Sequence, residues 1–152
     1  MRDAAIFDVD GTLVDVSSIR YFVNKNDPKF SGKKLWHQFH GKAIGCPPVA
    51  QAMELYEQAR ADGLAILVVT ARMSVWALPT LLWLKEHGVE HDELYMRKNK
   101  DFRKDYIVKA EILQDIKRDG YRPVMAVDDN PNVIKLWQSH DIPTHIIPGW
   151  ED

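Results

Sequence analysis

The chain has 152 residues, a length typical of one domain whose core needs no disulfide bonds. Its formal net charge of −2 excludes a basic surface over the whole molecule, so any nucleic-acid partner requires a local patch of positive charge. The single cysteine, Cys46, excludes an internal disulfide. The sequence has no signal-peptide pattern and no apolar run of the roughly 20 residues that span a membrane. These features predict a cytoplasmic protein without membrane partners.

The first predicted element is a short buried strand over residues 4–9, which ends in two carboxylates. Asp8 and Asp10 lie at or just past its C-terminal end, and Gly11 allows a tight turn and the close approach of a ligand. Two neighbouring carboxylates repel each other, so a bound cation or a shared proton would stabilise them. The alternative is an ordinary Asx-type turn without a functional role.

Residues 14–47 are the least regular part of the chain, and we predict a lid or flap insert with one short helix near residues 34–40. Basic and aromatic side chains alternate here, namely Arg20, Lys25, Lys29, Lys33, Lys34 and Lys42 with Tyr21, Phe22, Phe30, Trp36 and Phe39. This composition suits a groove that binds a single nucleic-acid strand, which makes Arg20 a candidate substrate-binding residue. It equally suits a lid whose aromatic rings fill the core and whose lysines are solvated.

Strands and helices alternate in the rest of the chain. Helices are predicted over residues 48–61, 74–87 with a kink at Pro79, 105–118 and 131–139, and strands over residues 64–69, 93–96, 123–127 and 144–147. This alternation predicts an α/β fold in which helices cover both faces of a parallel sheet.

Polar side chains follow three of the predicted strands. Asp8 and Asp10 follow the first strand, Thr70 follows the second, and Asp128 and Asp129 follow the fourth. The carboxyl ends of parallel strands meet at one edge of a sheet, where ligands bind. Clustered carboxylates without Cys or His ligands favour Mg²⁺, which leaves coordination positions for a phosphate oxygen. A threonine and a lysine could hold the remaining phosphate oxygens while one carboxylate attacks phosphorus and another transfers a proton.

These residues resemble the motifs of the haloacid dehalogenase superfamily of phosphohydrolases. Asp8-Val9-Asp10-Gly11-Thr12-Leu13 is similar to its first motif, Val68-Val69-Thr70 to its second and Val127-Asp128-Asp129 to its fourth. The resemblance implies a Rossmann-like three-layer fold with strand order 5-4-1-2-3. It implies that Asp8 is the nucleophile and Asp10 the general acid and base. It also implies that Asp8, Asp128 and the main-chain carbonyl of Asp10 hold Mg²⁺, with Asp129 in support.

A second resemblance, to the 3′-phosphatase domain of bacteriophage polynucleotide kinase-phosphatase, lies between Met96 and Lys109. An Arg, a later Asp-x-Arg-x-Asp and a Lys four residues on match that family, as does Thr70-Ala71-Arg72. The match implies that Thr70 and Lys109 are catalytic residues. It further implies that Asp105 orients Lys109. The candidate substrate-binding residues are Thr12, Arg20, Arg72, Arg97 and Asp105.

The resemblance implies one phosphatase domain over residues 1–152, with residues 14–47 as its insert, acting on a 3′-phosphate end of a nucleic acid. The insert is longer than in the phage enzyme, and no GxxxxGK[ST] loop is present, so a kinase would be a separate domain, fused or acting in concert. No protein partner is implied. The alternatives are a phosphatase for free nucleotides or other small esters, a phospho-accepting signalling receiver and an inactive nucleic-acid binder. Asp10 argues against a receiver, which needs no proton donor beside its nucleophile.

Several residues also have plainer interpretations. Asp105 and Lys109 could be a solvated i,i+4 pair on a helix. The pairs His37 with His40 and His87 with His91 have helical metal-binding spacings but no further ligands, so we predict surface histidines. We assign Trp83 and Trp137 to the core.

Overall fold

The computed structural model describes residues 1–23 and 35–149. Within these residues, parallel strands β1 (Arg2–Phe7), β2 (Ala65–Met73), β3 (Glu93–Arg97), β4 (Tyr121–Asp128) and β5 (Thr144–Ile146) form a five-stranded sheet. The helices are α1 (Trp36–Ala43), α2 (Ala50–Ala61), α3 (Ala77–Glu86), α4 (Asp105–Arg118) and α5 (Pro131–Ser139). The strand order β3-β2-β1-β4-β5 is the predicted order viewed from the other edge, and the Rossmann-like fold is confirmed.

The central strand β1 is buried on both faces of the sheet. Ala5 and Phe7 pack into a core with side chains of α1, α2 and α3, whereas Ala4 and Ile6 pack into a second core with α4 and α5. Successive strand residues point to opposite faces, so an unbroken apolar run is buried only where helices cover both. All four side chains are fully buried, as this three-layer arrangement requires.

Helix α4 has the predicted bounds and faces the sheet along one apolar stripe. Val108, Ile112, Leu113 and Ile116 are buried. The same buried face carries Lys109, which is 2% exposed. A buried lysine on an apolar stripe needs a negatively charged partner, because an unpaired charge away from water is very unfavourable.

Several elements differ from their predicted bounds, most clearly β2 and the helix that follows it. Strand β2 continues through Thr70 to Met73, with a register irregularity against β3 between these two residues, so Thr70 lies inside the strand rather than after it. The predicted helix over residues 74–87 begins with a 3₁₀ turn, Ser74–Trp76, followed by α3. Pro79 lies in the first turn of α3, where backbone N–H groups have no intrahelical partner, and therefore need not break the helix.

The ends of the predicted insert meet beside β1. The backbone N–H of Asp15 donates to the carbonyl of Pro47 at 2.8 Å, and that of Val49 donates to Leu13 at 2.9 Å. In the described part of the insert, a 3₁₀ helix, Arg20–Val23, is followed after the gap by α1, which begins at Trp36 rather than near residue 34. Of the predicted groove, Lys25, Lys29, Phe30, Lys33 and Lys34 lie outside the described residues.

Within residues 1–23 and 35–149, no helix combines the length and the apolar character that crossing a bilayer requires.

We expect Leu113→Ala to lower the free energy of unfolding by about 2–5 kcal/mol, because it leaves a cavity between α4 and the sheet. The neighbouring Gln114 is exposed, so Gln114→Ala should change stability by no more than about 0.5 kcal/mol. Urea denaturation followed by circular dichroism measures both values. Equal losses in the two variants would contradict the assigned packing of α4.

Candidate active site

Three carboxylates lie together at the C-terminal ends of the adjacent strands β1 and β4. Asp8, Asp128 and Asp129 each have a carboxylate oxygen within 4.8 Å of the others, and the exposures of the three residues are 6%, 0% and 4%. A backbone hydrogen bond of 3.1 Å from Asp8 to Val127 joins the two strand ends. The expected convergence at this edge of the sheet is therefore present, and we call these three residues the acidic cluster.

Lys109 provides the positive charge that faces the acidic cluster. Its ammonium group donates to Asp8 Oδ1 at 2.8 Å and to Asp128 Oδ2 at 3.2 Å. Burial alone would lower the pKa of Lys109, but the charges of Asp128 and Asp8 outweigh it and raise this pKa. Lys109 therefore lies on the buried face of α4 with its charged ammonium group beside Asp8, the candidate nucleophile. The interpretation of Asp105 and Lys109 as a solvated i,i+4 pair is excluded.

Asp128 is held on both of its carboxylate oxygens. Its Oδ1 accepts from the backbone N–H groups of Asp129 and Asn130, at 2.9 and 3.1 Å. Its Oδ2 accepts from the indole Nε1 of Trp137 at 3.2 Å, in addition to Lys109. Trp137 is fully buried in the core as predicted, and this donor role of its ring is an addition that spacing did not reveal.

The electrostatics of the acidic cluster suit a hard divalent cation. Burial and the neighbouring Asp128 carboxylate raise the pKa of Asp8 well above its ordinary value and that of Asp129 to about 6. Asp129 Oδ2 accepts no hydrogen bond from the described residues, although a guanidinium nitrogen of Arg20 lies 3.6 Å away. Oxygen ligands with unbalanced negative charge and an unpartnered buried oxygen are properties of a Mg²⁺-type site.

Thr12 donates a hydrogen bond to the acidic cluster. Its hydroxyl group donates to Asp8 Oδ2 at 2.9 Å and lies 3.4 Å from Asp129 Oδ1. The residue is completely buried, and the turn after β1 points its side chain towards the acidic cluster. The substrate contact predicted for Thr12 stays a prediction.

Asp10 faces an arginine rather than the acidic cluster. Arg72 donates to both of its carboxylate oxygens, at 2.9 and 2.6 Å, and also to the hydroxyl of Thr80 at 2.9 Å. Burial raises the pKa of Asp10, but the Arg72 guanidinium outweighs this and holds it below its ordinary value. Arg72 is 3% exposed, so it holds the Asp10 carboxylate in place and presents little charge at the surface.

Thr70 is buried beside these residues and keeps a hydrogen-bond donor. Its Oγ1 accepts from the backbone N–H of Arg72 at 3.1 Å, which leaves its own hydroxyl hydrogen for another acceptor. Its side chain borders the same cleft as Asp8 and Asp10. The hydroxyl can therefore donate to an anion that enters the cleft.

Arg97 organises the loop that follows β3. It donates to the carbonyls of Ala71, Asp101 and Arg103, at 2.8, 3.0 and 2.6 Å, and to Asp105 Oδ1 at 2.6 Å. Asp105 accepts from Arg97, whereas the Lys109 ammonium donates to Asp8 and Asp128, so no direct hydrogen bond supports the prediction that Asp105 orients Lys109. The loop packing between β3 and α4, which sequence spacing does not encode, decides this pairing.

His40 is a site residue that the sequence analysis missed. We predicted surface histidines, and His37 is exposed, but the His40 side chain is only 11% exposed and its Nε2 lies 3.9 Å from Asp10 Oδ2. Burial lowers the pKa of His40 to about 4, although Asp10 opposes the shift, so this contact involves a neutral ring. Its ring is also 5.8 Å from that of Trp76, measured between centroids. Nothing in the residue spacing distinguished His40 from a surface histidine.

The site opens into a cleft of about 820 Å³. All the predicted site residues line it except Thr12 and Asp128. The nine that do are Asp8, Asp10, Arg20, Thr70, Arg72, Arg97, Asp105, Lys109 and Asp129. Aromatic rings line it too, and of these Trp36 is 45% and Phe102 is 83% exposed. Phe39 of the same aromatic segment lies in the core. The described part of residues 14–47 thus contributes both to the core and to the cleft.

Comparison with known families and structures gives consistent results. The family model for the polynucleotide kinase PNKP phosphatase domain matches residues 2–147. A chain in the structure of the Pnkp1/Rnl/Hen1 complex is similar with a TM-score of 0.77 and 21% identity, over 97% of this chain and 46% of that chain. The class C acid phosphatase from Bacillus anthracis is similar with a TM-score of 0.64 and 14% identity, over 97% and 66% of the two chains. At these identities the two structures establish a shared fold.

One curated protein also matches part of the chain. A putative bifunctional polynucleotide kinase/RNA ligase of Autographa californica nuclear polyhedrosis virus is 30% identical over 80 residues, which are 52% of this chain and 12% of that protein. The chain therefore spans less than half the length of the viral protein and of the Pnkp1/Rnl/Hen1 chain.

Gly11→Ala should disrupt the acidic cluster, since a Cβ at this position would overlap the Oδ2 atom of Asp129. The control is Gly63→Ala, because both glycines have a positive φ, +81° and +77°, but a Cβ at residue 63 has open space. Both variants should lose about 1–2 kcal/mol of stability from the backbone conformation. Only Gly11→Ala should also lose affinity for a divalent cation, measured by calorimetric titration. Equal cation affinity in the two variants would contradict this packing.

Proposed function

Since this chain belongs to the polynucleotide kinase PNKP phosphatase domain family, of the haloacid dehalogenase superfamily, we propose that it removes the 3′-phosphate of a polynucleotide. The observation that carries this proposal is the acidic cluster buried against Lys109, with Thr70 and Asp10 in the same cleft. This arrangement supports a Mg²⁺-dependent phosphomonoesterase that works through an aspartyl phosphate.

The candidate ligands of Mg²⁺ are the carboxylates of Asp8 and Asp128 and the main-chain carbonyl of Asp10, with Asp129 beside them. When bound, Mg²⁺ supplies positive charge to a phosphate oxygen and so favours attack by an anion. The raised pKa values of Asp8 and Asp129 support this assignment, because a nearby cation stabilises the ionised form of both carboxylates.

Asp8 is the proposed nucleophile. Its Oδ atom attacks phosphorus, the bond between phosphorus and the leaving oxygen breaks, and an aspartyl phosphate forms. Lys109 and the Thr70 hydroxyl bind phosphate oxygens whose negative charge grows during the reaction. Thr12 fixes Asp8 through its hydrogen bond of 2.9 Å, which limits the rotation of the carboxylate.

Asp10 is the proposed general acid and base. As an acid it donates a proton to the leaving oxygen, and as a base it takes a proton from the water that hydrolyses the aspartyl phosphate, which releases inorganic phosphate. The ionised form that Arg72 stabilises is the form required of a base. The acid step needs the neutral form, so Asp10 gives up part of its paired hydrogen bonds to Arg72 when the leaving group arrives.

The proposed substrate is the 3′-phosphate end of a nucleic acid. The match between Arg97 and Lys109, together with Thr70-Ala71-Arg72, supports a 3′-phosphatase, and a cleft of about 820 Å³ has room for more than a phosphate group. We further propose one phosphatase domain over residues 1–152, with residues 14–47 as a lid. The names of the viral relative and of the Pnkp1/Rnl/Hen1 complex support action alongside a kinase domain.

The second candidate function is a phosphatase for free nucleotides or other small esters, which the same chemistry would serve. The Arg20 guanidinium beside Asp129 and the half-open cleft are compatible with either substrate. A receiver domain is disfavoured, because Asp10 beside the nucleophile promotes hydrolysis of an acyl phosphate that a receiver must preserve.

Phosphate release from four substrates tests the proposal: a 3′-phosphate oligonucleotide, a 5′-phosphate oligonucleotide, a nucleoside monophosphate and p-nitrophenyl phosphate. With Mg²⁺, kcat/KM should be highest for the 3′-phosphate oligonucleotide, and EDTA should abolish release. Asp8→Asn should be inactive while it unfolds like the parent protein. Equal kcat/KM for all four substrates would favour the small-ester phosphatase, and activity in Asp8→Asn would rule out the covalent step.

Trp137→Phe should weaken Mg²⁺ binding by about tenfold or more, because it removes the indole donor that orients Asp128. Trp83→Phe is the matched control, since Trp83 is also buried and its Nε1 donates at 2.9 Å to the carbonyl of Cys46 in the other core. Calorimetric titration with Mg²⁺ and thermal unfolding measure affinity and stability separately. We expect the two variants to lose similar stability but only Trp137→Phe to lose Mg²⁺ affinity. Unchanged Mg²⁺ affinity in Trp137→Phe would contradict the role given to this ring.

A further inference from the structure

Phe102 is an exposed aromatic residue on a loop whose backbone is firmly held. Its relative exposure is 83%, although it borders the cleft that contains Asp8 and Thr70. A phenyl ring in water contributes nothing to folding, whereas its burial against a ligand is favourable. The ring is therefore available to a ligand that enters the cleft.

The residues on either side of Phe102 are fixed by hydrogen bonds. One guanidinium nitrogen of Arg97 donates to the carbonyls of both Asp101 and Arg103, at 3.0 and 2.6 Å. The Arg103 side chain binds Asp101 at 2.8 Å and Glu111 at 2.6 Å. With its neighbours held in this way, the backbone that carries the ring is held in a defined position, and a preorganised loop loses little conformational entropy on binding.

The same loop is tied to a second aromatic part of the cleft. The side chain of Asn99 accepts from the backbone N–H of Val75 at 2.8 Å, which joins the loop to the 3₁₀ turn that carries Trp76. The Trp76 ring lies 5.9 Å from His37 and 5.8 Å from His40, between centroids. Planar rings thus border the cleft that is also lined by Asp8, Asp129 and Lys109.

We propose that Phe102 forms a base-binding subsite, on which the nucleobase of the terminal nucleotide stacks while its phosphate reaches Asp8. This inference rests on the proposed function and adds the group that the enzyme recognises beyond the phosphate. A nucleobase is the favoured occupant because it is flat, because every base has a face that stacks on an aromatic ring, and because the neighbouring exposed lysines Lys98 and Lys100 suit a phosphodiester backbone. Phe102 then determines specificity and takes no part in the chemical step.

The test compares three substrates: an oligonucleotide with a 3′-phosphate, the same oligonucleotide with an abasic 3′-terminal residue, and p-nitrophenyl phosphate. The parent protein should prefer the first over the second by about tenfold in kcat/KM, the typical value of one base–aromatic stack. Phe102→Ala should lower kcat/KM for the first substrate about tenfold and leave the other two unchanged. Phe102→Tyr should keep the preference, because it keeps the ring. Leu82→Ala, which removes an exposed apolar side chain from α3, should change none of the three values.

Two outcomes would overturn the subsite. If the parent protein releases phosphate equally well from base-containing and abasic ends, stacking is absent although the 3′-phosphatase proposal stands. If Phe102→Ala lowers all three values equally, the ring serves the geometry of the loop and not a base. Failure of the 3′-phosphatase proposal is separately visible, as a lack of release from both oligonucleotides.

Discussion

The structure depends on the burial of three carboxylates beside one lysine at the end of the central strands. Removing such charges from water is strongly unfavourable unless each finds a partner, so neighbouring elements must supply hydrogen bonds and positive charge. Lys109 comes from α4, an indole donor comes from α5 and a hydroxyl donor comes from the turn after β1. The packing of both helices on the sheet and the chemistry of the acidic cluster therefore constrain each other.

The sequence was most informative where periodicity and strand ends determine position. Alternating strands and helices predicted the sheet, and Asp8 and Asp128 were correctly assigned to the edge where parallel strands end, whereas Thr70 lies inside β2 although it borders the same cleft. The bounds of α4 and α5 were correct because an apolar stripe, Asp105 at one start and Pro131 at the other mark them. These features depend on local sequence and not on contacts with distant parts of the chain.

Side-chain partners could not be predicted in the same way. Thr12 points inward, Asp105 binds Arg97, and His40 lies beside Asp10, each because of a loop or helix that arrives from a distant part of the chain. Spacing along a helix gives the face on which a residue lies but not the partner that meets it. The two arginines illustrate this, since Arg72 donates to Asp10 and Thr80, and Arg97 donates to Ala71 of β2, to two carbonyls of the loop after β3 and to Asp105 of α4. Both are positioning groups as much as candidate substrate contacts.

The backbone hydrogen bonds from Asp15 to Pro47 and from Val49 to Leu13 bring the two ends of the insert together beside β1. When the two ends of an inserted segment are held together in this way, the entropic cost of closing the segment rises only slowly with its number of residues. The strand ends that carry the acidic cluster and the insert can therefore diverge at different rates during evolution. A protein built on this plan can accept a longer, shorter or chemically different insert without rebuilding the buried residues at the ends of β1 and β4.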